Sequence, residues 1–150
     1  MKVGLCTSSR SERHLMEALQ KELATHHHIS WYPFIEVDSY GDTDNSEYDD
    51  CDLLIIPADR SEMTKFALDC FHENITFVHY FAGSRSYSHT HDDINRQMIS
   101  LMANFCFAES PVAVNNLHKL GIPNDRIMLT GTSHFDGITI QDINENKPKD

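Results

Sequence analysis

Arginines and carboxylates follow the apolar runs of this sequence at the points where strands would end. They are Arg10 after the first run, Asp59 after the third, Arg85 after the fourth, and Asp92 and Asp93 at the next helix start. Guanidinium groups bind phosphate oxygens, and carboxylates transfer protons best when their pKa lies near ambient pH. The combination is typical of a crevice that binds an anionic ligand and moves a proton beside it.

These side chains also have structural interpretations, and Arg10 could simply be a surface arginine. For Asp59, a role as the cap of the following helix is as well supported as a catalytic role. Asp92 and Asp93 stabilise the start of their own helix through its dipole. His89 and His91 lie beside these aspartates and suggest a metal site. However, the four residues are close together in one flexible loop, and no ligand from a distant part of the sequence is evident. We therefore predict no metal and no cofactor. The absence of a GxGxxG or Walker motif disfavours dinucleotide and P-loop binding.

The elements that position these residues alternate between strand and helix. Apolar runs predict strands over 2–7, 29–37, 52–57, 75–81, 105–108 and 126–130, with helices over 11–25, 61–74, from about 92, 111–120 and 134–138. Thr90 and Asp93 have the spacing of a capping box. This βαβα order predicts a Rossmann-like α/β domain over 1–143, with three α/β/α layers, a mostly parallel sheet and a polar tail over 144–150. Ligands bind such sheets at the carboxyl ends of the strands.

Charge and composition narrow the possible partners. The formal net charge of −11 argues against nucleic acid and against an anionic membrane surface. The four cysteines are widely spaced and form no CxxC pair, which favours buried thiols in a reducing compartment. No leader precedes the first strand, and no apolar run is long enough to span a bilayer. We expect a soluble cytoplasmic protein.

Several motifs, in order along the chain, resemble those of UDP-N-acetylglucosamine 2-epimerases. Residues 56–60 (IPADR) are similar to the family's strand that ends in Gly-Asp-Arg, and residues 79–85 (HYFAGSR) to its His-Val-Glu-Ala-Gly-Leu-Arg segment. Residues 92–96 (DDINR) match its acidic-acidic-x-Asn-Arg helix start, and residues 7–12 (TSSRSE) are similar to its Gly-Thr-Arg-Pro-Glu. Asp59-Arg60 favours the hydrolysing branch and Asn95-Arg96 the non-hydrolysing branch. The chain resembles the amino-terminal half of these enzymes.

The resemblance implies an architecture of the glycosyltransferase-B type, in which a UDP-sugar lies between two such domains. The family removes the C2 proton of the sugar and expels UDP, and UDP or water then adds back on the other face. It also implies roles for seven residues of this chain. They are Asp59 and Asp92 as acid/base candidates, Arg10 as a phosphate ligand, and Arg85, Asp93, Asn95 and Arg96 as further substrate-binding residues.

Two departures from the family pattern leave two hypotheses open. Phe81 replaces the glutamate of the His-Val-Glu-Ala-Gly segment, and the sequence stops where a second domain would begin. The first hypothesis is an epimerase-like domain that is inactive alone or needs a separate carboxy-terminal half or a second copy of itself. The alternative is a non-catalytic nucleotide-sugar-binding or protein-interaction domain derived from an epimerase.

Overall fold

Six strands and four α-helices alternate along the chain. A computed structural model describes residues 1–33, 50–57, 59–88, 90–133 and 136, without the side chains of 31–33. The strands are β1 (Lys2–Thr7), β2 (His28–Pro33), β3 (Leu53–Pro57), β4 (Phe77–Ala82), β5 (Phe105–Ala108) and β6 (Ile127–Leu129). The helices are α1 (Arg10–Leu23), α2 (Ser61–His72), α3 (His91–Met102) and α4 (Pro111–Lys119).

The strands form one sheet in the order β2-β1-β3-β4-β5-β6, and every described pairing is parallel. The predicted Rossmann-like α/β fold is therefore confirmed. From β1 the chain first moves outward to β2, and it then crosses back so that β3 to β6 extend the other side. This reversal beside β1 and β3 is the point at which ligands of open α/β sheets bind. The predicted helix over 134–138, apart from Asp136, and the tail over 144–150 lie outside the described residues.

Two apolar clusters cover the two faces of the sheet. One contains Val3 and Leu5 of β1 together with Met16 of α1. The other contains Cys6 of the same strand and buried residues from α2, α3 and α4. Successive strand residues point to opposite faces, so β1 contributes to both clusters. Burial on both faces explains the nearly continuous apolar runs of the sequence.

A β-bulge at Phe81 interrupts this alternation in β4. Phe77 and Ala82 contribute to the cluster beneath α2 to α4, whereas Tyr80 and Phe81 pack with the cluster beneath α1. The register shifts between Tyr80 and Ala82, and Phe81 has a left-handed φ of 62°. The bulge therefore turns Phe81 to the same face as its neighbour Tyr80, with the ring centroids 4.4 Å apart.

Within the described part of the chain, no helix is long and apolar enough to cross a membrane. All four cysteines are present as thiols, and Cys6, Cys70 and Cys106 are buried, as the sequence predicts.

Candidate functional site

Asp59 and Arg96 form an ion pair at the carboxyl edge of the sheet. Arg96 Nη2 donates to Asp59 Oδ2, and the two side chains are 18% and 22% exposed respectively. Burial raises the pKa of Asp59, an effect that Arg96 opposes and the nearby charge of Asp92 reinforces. The result is a half-buried carboxyl held by a guanidinium, which suits proton transfer next to an anion.

The alternative role of Asp59 as a helix cap is not observed. Arg60 occupies the N-cap position of α2, and no side chain there makes a capping hydrogen bond. Instead, Asn95 Nδ2 donates to Ser61 Oγ over 3.2 Å, which joins the first turn of α2 to α3. The structure thus brings Asp59, Asn95 and Arg96 together with the exposed Asp92 at one place.

Asp93 belongs to a second group, formed with the loop after β4. Its side chain is buried, and Oδ1 accepts the Ser86 backbone N–H at 2.8 Å. That hydrogen bond is the main cause that lowers the pKa of Asp93, and Arg85 adds a smaller attraction. The predicted capping box is wrong, because Thr90 makes no side-chain cap bond and the loop backbone engages the Asp93 carboxylate instead.

Arg85 lies in this second group rather than beside Asp59. Its guanidinium stacks over the Tyr87 ring with 5.5 Å from Cζ to the ring centroid. The adjacent Ser84 hydroxyl donates to Glu109 Oε1. Asp93 and Glu109 therefore each accept a hydrogen bond from a serine of this loop, and each does so on one carboxylate oxygen.

Arg10 is the first residue of α1 and is exposed. The described contacts of Asp59 and Asp93 do not include Arg10. Its backbone position at a helix N-terminus still suits an anion, because the first N–H groups of a helix point outward. Ser9 is the N-cap there and accepts the Glu12 N–H at 3.2 Å.

Glu12 is a buried carboxyl that the sequence analysis missed. It accepts hydrogen bonds from the Ser8 N–H at 2.6 Å and from the Ser8 hydroxyl at 2.8 Å. Burial raises the pKa of Glu12, while these bonds and the Arg60 charge oppose that rise. The signal was present: Ser9 and Glu12 have the spacing of a capping box.

His79 and Ser100 form a buried link beneath Arg96. His79 Nδ1 lies 2.8 Å from Ser100 Oγ, and Ser100 Oγ donates to the Arg96 carbonyl at 2.9 Å. Since the hydroxyl has a single hydrogen, His79 Nδ1 must carry the proton of the other bond. The sequence indicated His79 only as part of a motif, and its partner is 21 residues away.

No group of three or more His, Cys, Asp or Glu side chains among the described residues has a metal-binding arrangement. His89 lies outside those residues, so the four-residue loop group is not seen as a whole.

Comparison with known proteins gives one family. A family model described as UDP-N-acetylglucosamine 2-epimerase matches residues 43–149. A UDP-N,N'-diacetylbacillosamine 2-epimerase (hydrolyzing) of Legionella pneumophila is 29% identical over 117 residues, which is 78% of this chain and 30% of that protein. A UDP-N-acetylglucosamine 2-epimerase of Neisseria meningitidis is 28% identical over 92 residues, covering 59% of this chain and 25% of that protein.

Solved structures agree on the fold. The Neisseria meningitidis UDP-GlcNAc 2-epimerase bound to UDP-GlcNAc matches with a TM-score of 0.76 at 22% identity, over 91% of this chain and 47% of that one. The enzyme from Rickettsia bellii matches with a TM-score of 0.76 at 16% identity, over 97% of this chain and 48% of that one. The chain therefore spans about half the length of these solved structures.

Proposed function

Because the chain belongs to the UDP-N-acetylglucosamine 2-epimerase family, we propose that it is an epimerase-type domain that binds a UDP-sugar at the carboxyl edge of its sheet. The observation that carries this proposal is the Asp59–Arg96 pair beside Asp92, at the strand ends where such sheets bind ligands. We also propose a cytoplasmic location, supported by the four thiols.

In this proposal, Asp59 exchanges a proton with the sugar. Its pKa is raised by burial, so it holds a proton more readily than an exposed aspartate does. Arg96 fixes the orientation of the carboxyl group, and Asn95 fixes α3 against α2. Asp92 is the second acid/base candidate, and Arg10 with the α1 N-terminus receives the diphosphate. Arg85 and Asp93 support the neighbouring loop.

We propose that turnover needs a carboxy-terminal half in addition to this domain. Substrate in a two-domain architecture lies between the domains, and this chain covers about half of its solved relatives. Phe81 also cannot transfer a proton at the position where the family pattern has a glutamate. The family match favours an epimerase-type domain over a protein-interaction descendant.

Calorimetric titration with UDP and UDP-N-acetylglucosamine tests the proposal. We expect binding that Arg10→Ala weakens about tenfold through loss of a charge-assisted contact. Lys21→Ala, which removes an exposed cation from the last turn of the same helix, is the matched control. The same titrations are repeated with the carboxy-terminal half of the Neisseria meningitidis enzyme added, and UDP release is then measured.

Absence of binding both with and without that half would refute the proposal. UDP release by the chain alone, abolished by Asp59→Asn, would overturn the requirement for a second half. A second copy is the other candidate partner, and light scattering of the purified chain distinguishes a dimer from a monomer.

A further inference from the structure

Two neighbouring helices, α2 and α3, present large apolar side chains to solvent. Each of these residues is between 43% and 55% exposed, and they are Leu68 and Phe71 of α2 and Ile94, Met98 and Leu101 of α3. Spacings of three and four residues place the members of each set on one side of their helix. We call these five residues the apolar patch.

The apolar patch is continuous across the two helices. α2 and α3 pack side by side, and Phe71 and Leu101 line the same cavity between the ends of these helices. Leu68 lies one turn before Phe71, while Met98 and Ile94 lie one and two turns before Leu101. The patch therefore forms one surface that extends along α3 from its first turn to its last.

The exposed side of α1 shows how a solvated helix of this chain is built. Arg13, Glu17 and Lys21 recur there every four residues, and all three are exposed. On α3, the same kind of line is occupied by three apolar residues of the patch. Single exposed apolar residues need no explanation, but a continuous patch of them marks a contact surface.

The area of the patch matches what a dimer of this size needs. A large apolar residue presents about 200 Å² when fully exposed, so the patch presents about 500 Å² at the exposures given above. A standard interface buries about 800 Å² on each partner, and about 65% of a homodimer interface is apolar. Both estimates give about 500 Å² of apolar surface for each copy. Because the net charge of −11 makes two copies repel each other, an uncharged patch is the side on which they can approach.

The patch lies away from the crevice. Phe71 and Leu101 lie in the last turns of their helices, and the cavity that they line also includes Phe77, the first residue of β4. This is the amino edge of the sheet, whereas Asp59 and Arg96 lie at the carboxyl edge. A carboxy-terminal half that closes the crevice would contact the carboxyl edge and leave the patch exposed.

From its position, composition and area we infer that the apolar patch binds the same patch of a second copy of this chain around a twofold axis. Every contact in such an interface occurs twice. With the two α3 helices antiparallel, their dipoles attract, and Ile94 of each copy packs against Leu101 of the other. Met98 then lies near the axis, against Met98 of the second copy. This interface does not supply the opposing wall of the crevice, so the inference does not depend on the proposed function.

Light scattering and sedimentation equilibrium of the purified chain over a dilution series test the interface. We expect a dimer that Met98→Lys weakens about a hundredfold, because each dimer would bury the unpaired charge twice. Val112→Lys is the matched control, since Val112 is an exposed apolar residue of α4 outside the patch. It should leave the dissociation constant unchanged, and thermal melts establish that both variants fold.

Disulfide cross-linking tests the twofold arrangement. Met98→Cys should form a disulfide-linked dimer on mild oxidation, while wild type oxidised in parallel controls for the partly exposed Cys51. A wild-type chain that stays monomeric at every concentration would overturn the inference, and so would a dimer that Met98→Lys leaves as tight as Val112→Lys does. Dissociation by Met98→Lys without cross-linking of Met98→Cys would overturn the antiparallel pairing of α3. Failure of UDP to bind to a chain that still dimerises would refute only the proposed function.

Discussion

Arg96 in α3 holds the carboxyl group of Asp59 just beyond the end of β3, so two residues that are 37 positions apart in the chain meet in one ion pair. The pair is half-buried, and burial raises the pKa of Asp59 despite the attraction of Arg96. The folded state therefore holds the Asp59 proton more tightly than the unfolded chain does. Protonation at this position links site chemistry to stability.

The stability of the Asp59→Asn variant relative to the wild type should increase as pH rises. Between the ordinary aspartate pKa of 3.8 and the raised native value, the folded state binds more protons than the unfolded state. The wild type consequently loses stability through that window, and Asn at position 59 does not titrate. Thermal melts of both proteins from pH 3 to pH 7 measure the difference. A gap in melting temperature that moves the other way with pH would contradict this prediction.

Asp93→Asn should show the opposite pH behaviour. The hydrogen bond from Ser86 lowers the pKa of Asp93, so the ionised group stabilises the fold above pH 3.8, and that stability is lost as pH falls through the lower native pKa. At pH 7 we expect the variant to be less stable by about 1 kcal/mol, the difference between a charged and a neutral acceptor. Urea unfolding at pH 7 and pH 3 measures this. Equal stability at pH 7 would show that the carboxylate charge contributes nothing.

Gly83→Ala should destabilise the fold far more than Gly121→Ala, although both glycines have positive φ. At Gly83 (φ 81°) an added Cβ would overlap the Ala113 carbonyl oxygen and lie 2.8 Å from Leu117 Cγ, while at Gly121 (φ 88°) it meets nothing within 4 Å. Left-handed backbone alone costs about 1–2 kcal/mol, and overpacking adds about 1–3 kcal/mol. Urea unfolding of the two variants should therefore differ by at least about 1 kcal/mol. Similar losses would mean that α4 moves away at little cost.

Iodoacetamide should label Cys51 of the folded chain before the other cysteines. Burial raises the pKa of Cys6 well above its ordinary range, that of Cys70 to about 12 and that of Cys106 to about 11. Thiolates are the reactive form, so these three react slowly at pH 8, whereas Cys51 is partly exposed. Mass spectrometry of peptides after short labelling tests the order, with urea-unfolded chain as the control. Early labelling of Cys6 would indicate that β1 opens readily.

The sequence predicted the order and type of the elements well, because burial on both sheet faces produces long apolar runs. The predicted bounds of the first strand, 2–7, and of the fifth, 105–108, are those observed. The fourth strand, predicted over 75–81, instead runs over Phe77–Ala82, and a bulge lies near its carboxyl end. A left-handed φ at one phenylalanine leaves no periodic signal, so sequence patterns could not place Phe81.

The sequence predicted which residues follow the strands and so lie near the site, but it did not predict which of these residues contact each other. Capping depends on neighbours three residues away, and for Asp59 and Thr90 local spacing suggested caps that tertiary contacts replaced. Arg96 reaches Asp59 only because α3 packs against α2. The His79–Ser100 link likewise joins distant segments, and local sequence patterns do not indicate such a contact.

The strand order also affects how the chain folds. Val3 pairs with Leu53, and the Lys2 backbone N–H reaches the Asp52 carboxylate 50 residues away, whereas β3 to β6 follow one another both in sequence and in space. Closing a long loop has an entropy cost that must be met before its contacts form, so such pairings form slowly. We expect β3 to β6 with α2 to α4 to assemble first and β1 to dock late. In pulsed hydrogen exchange during refolding, the amides of β1 should gain protection after those of β4.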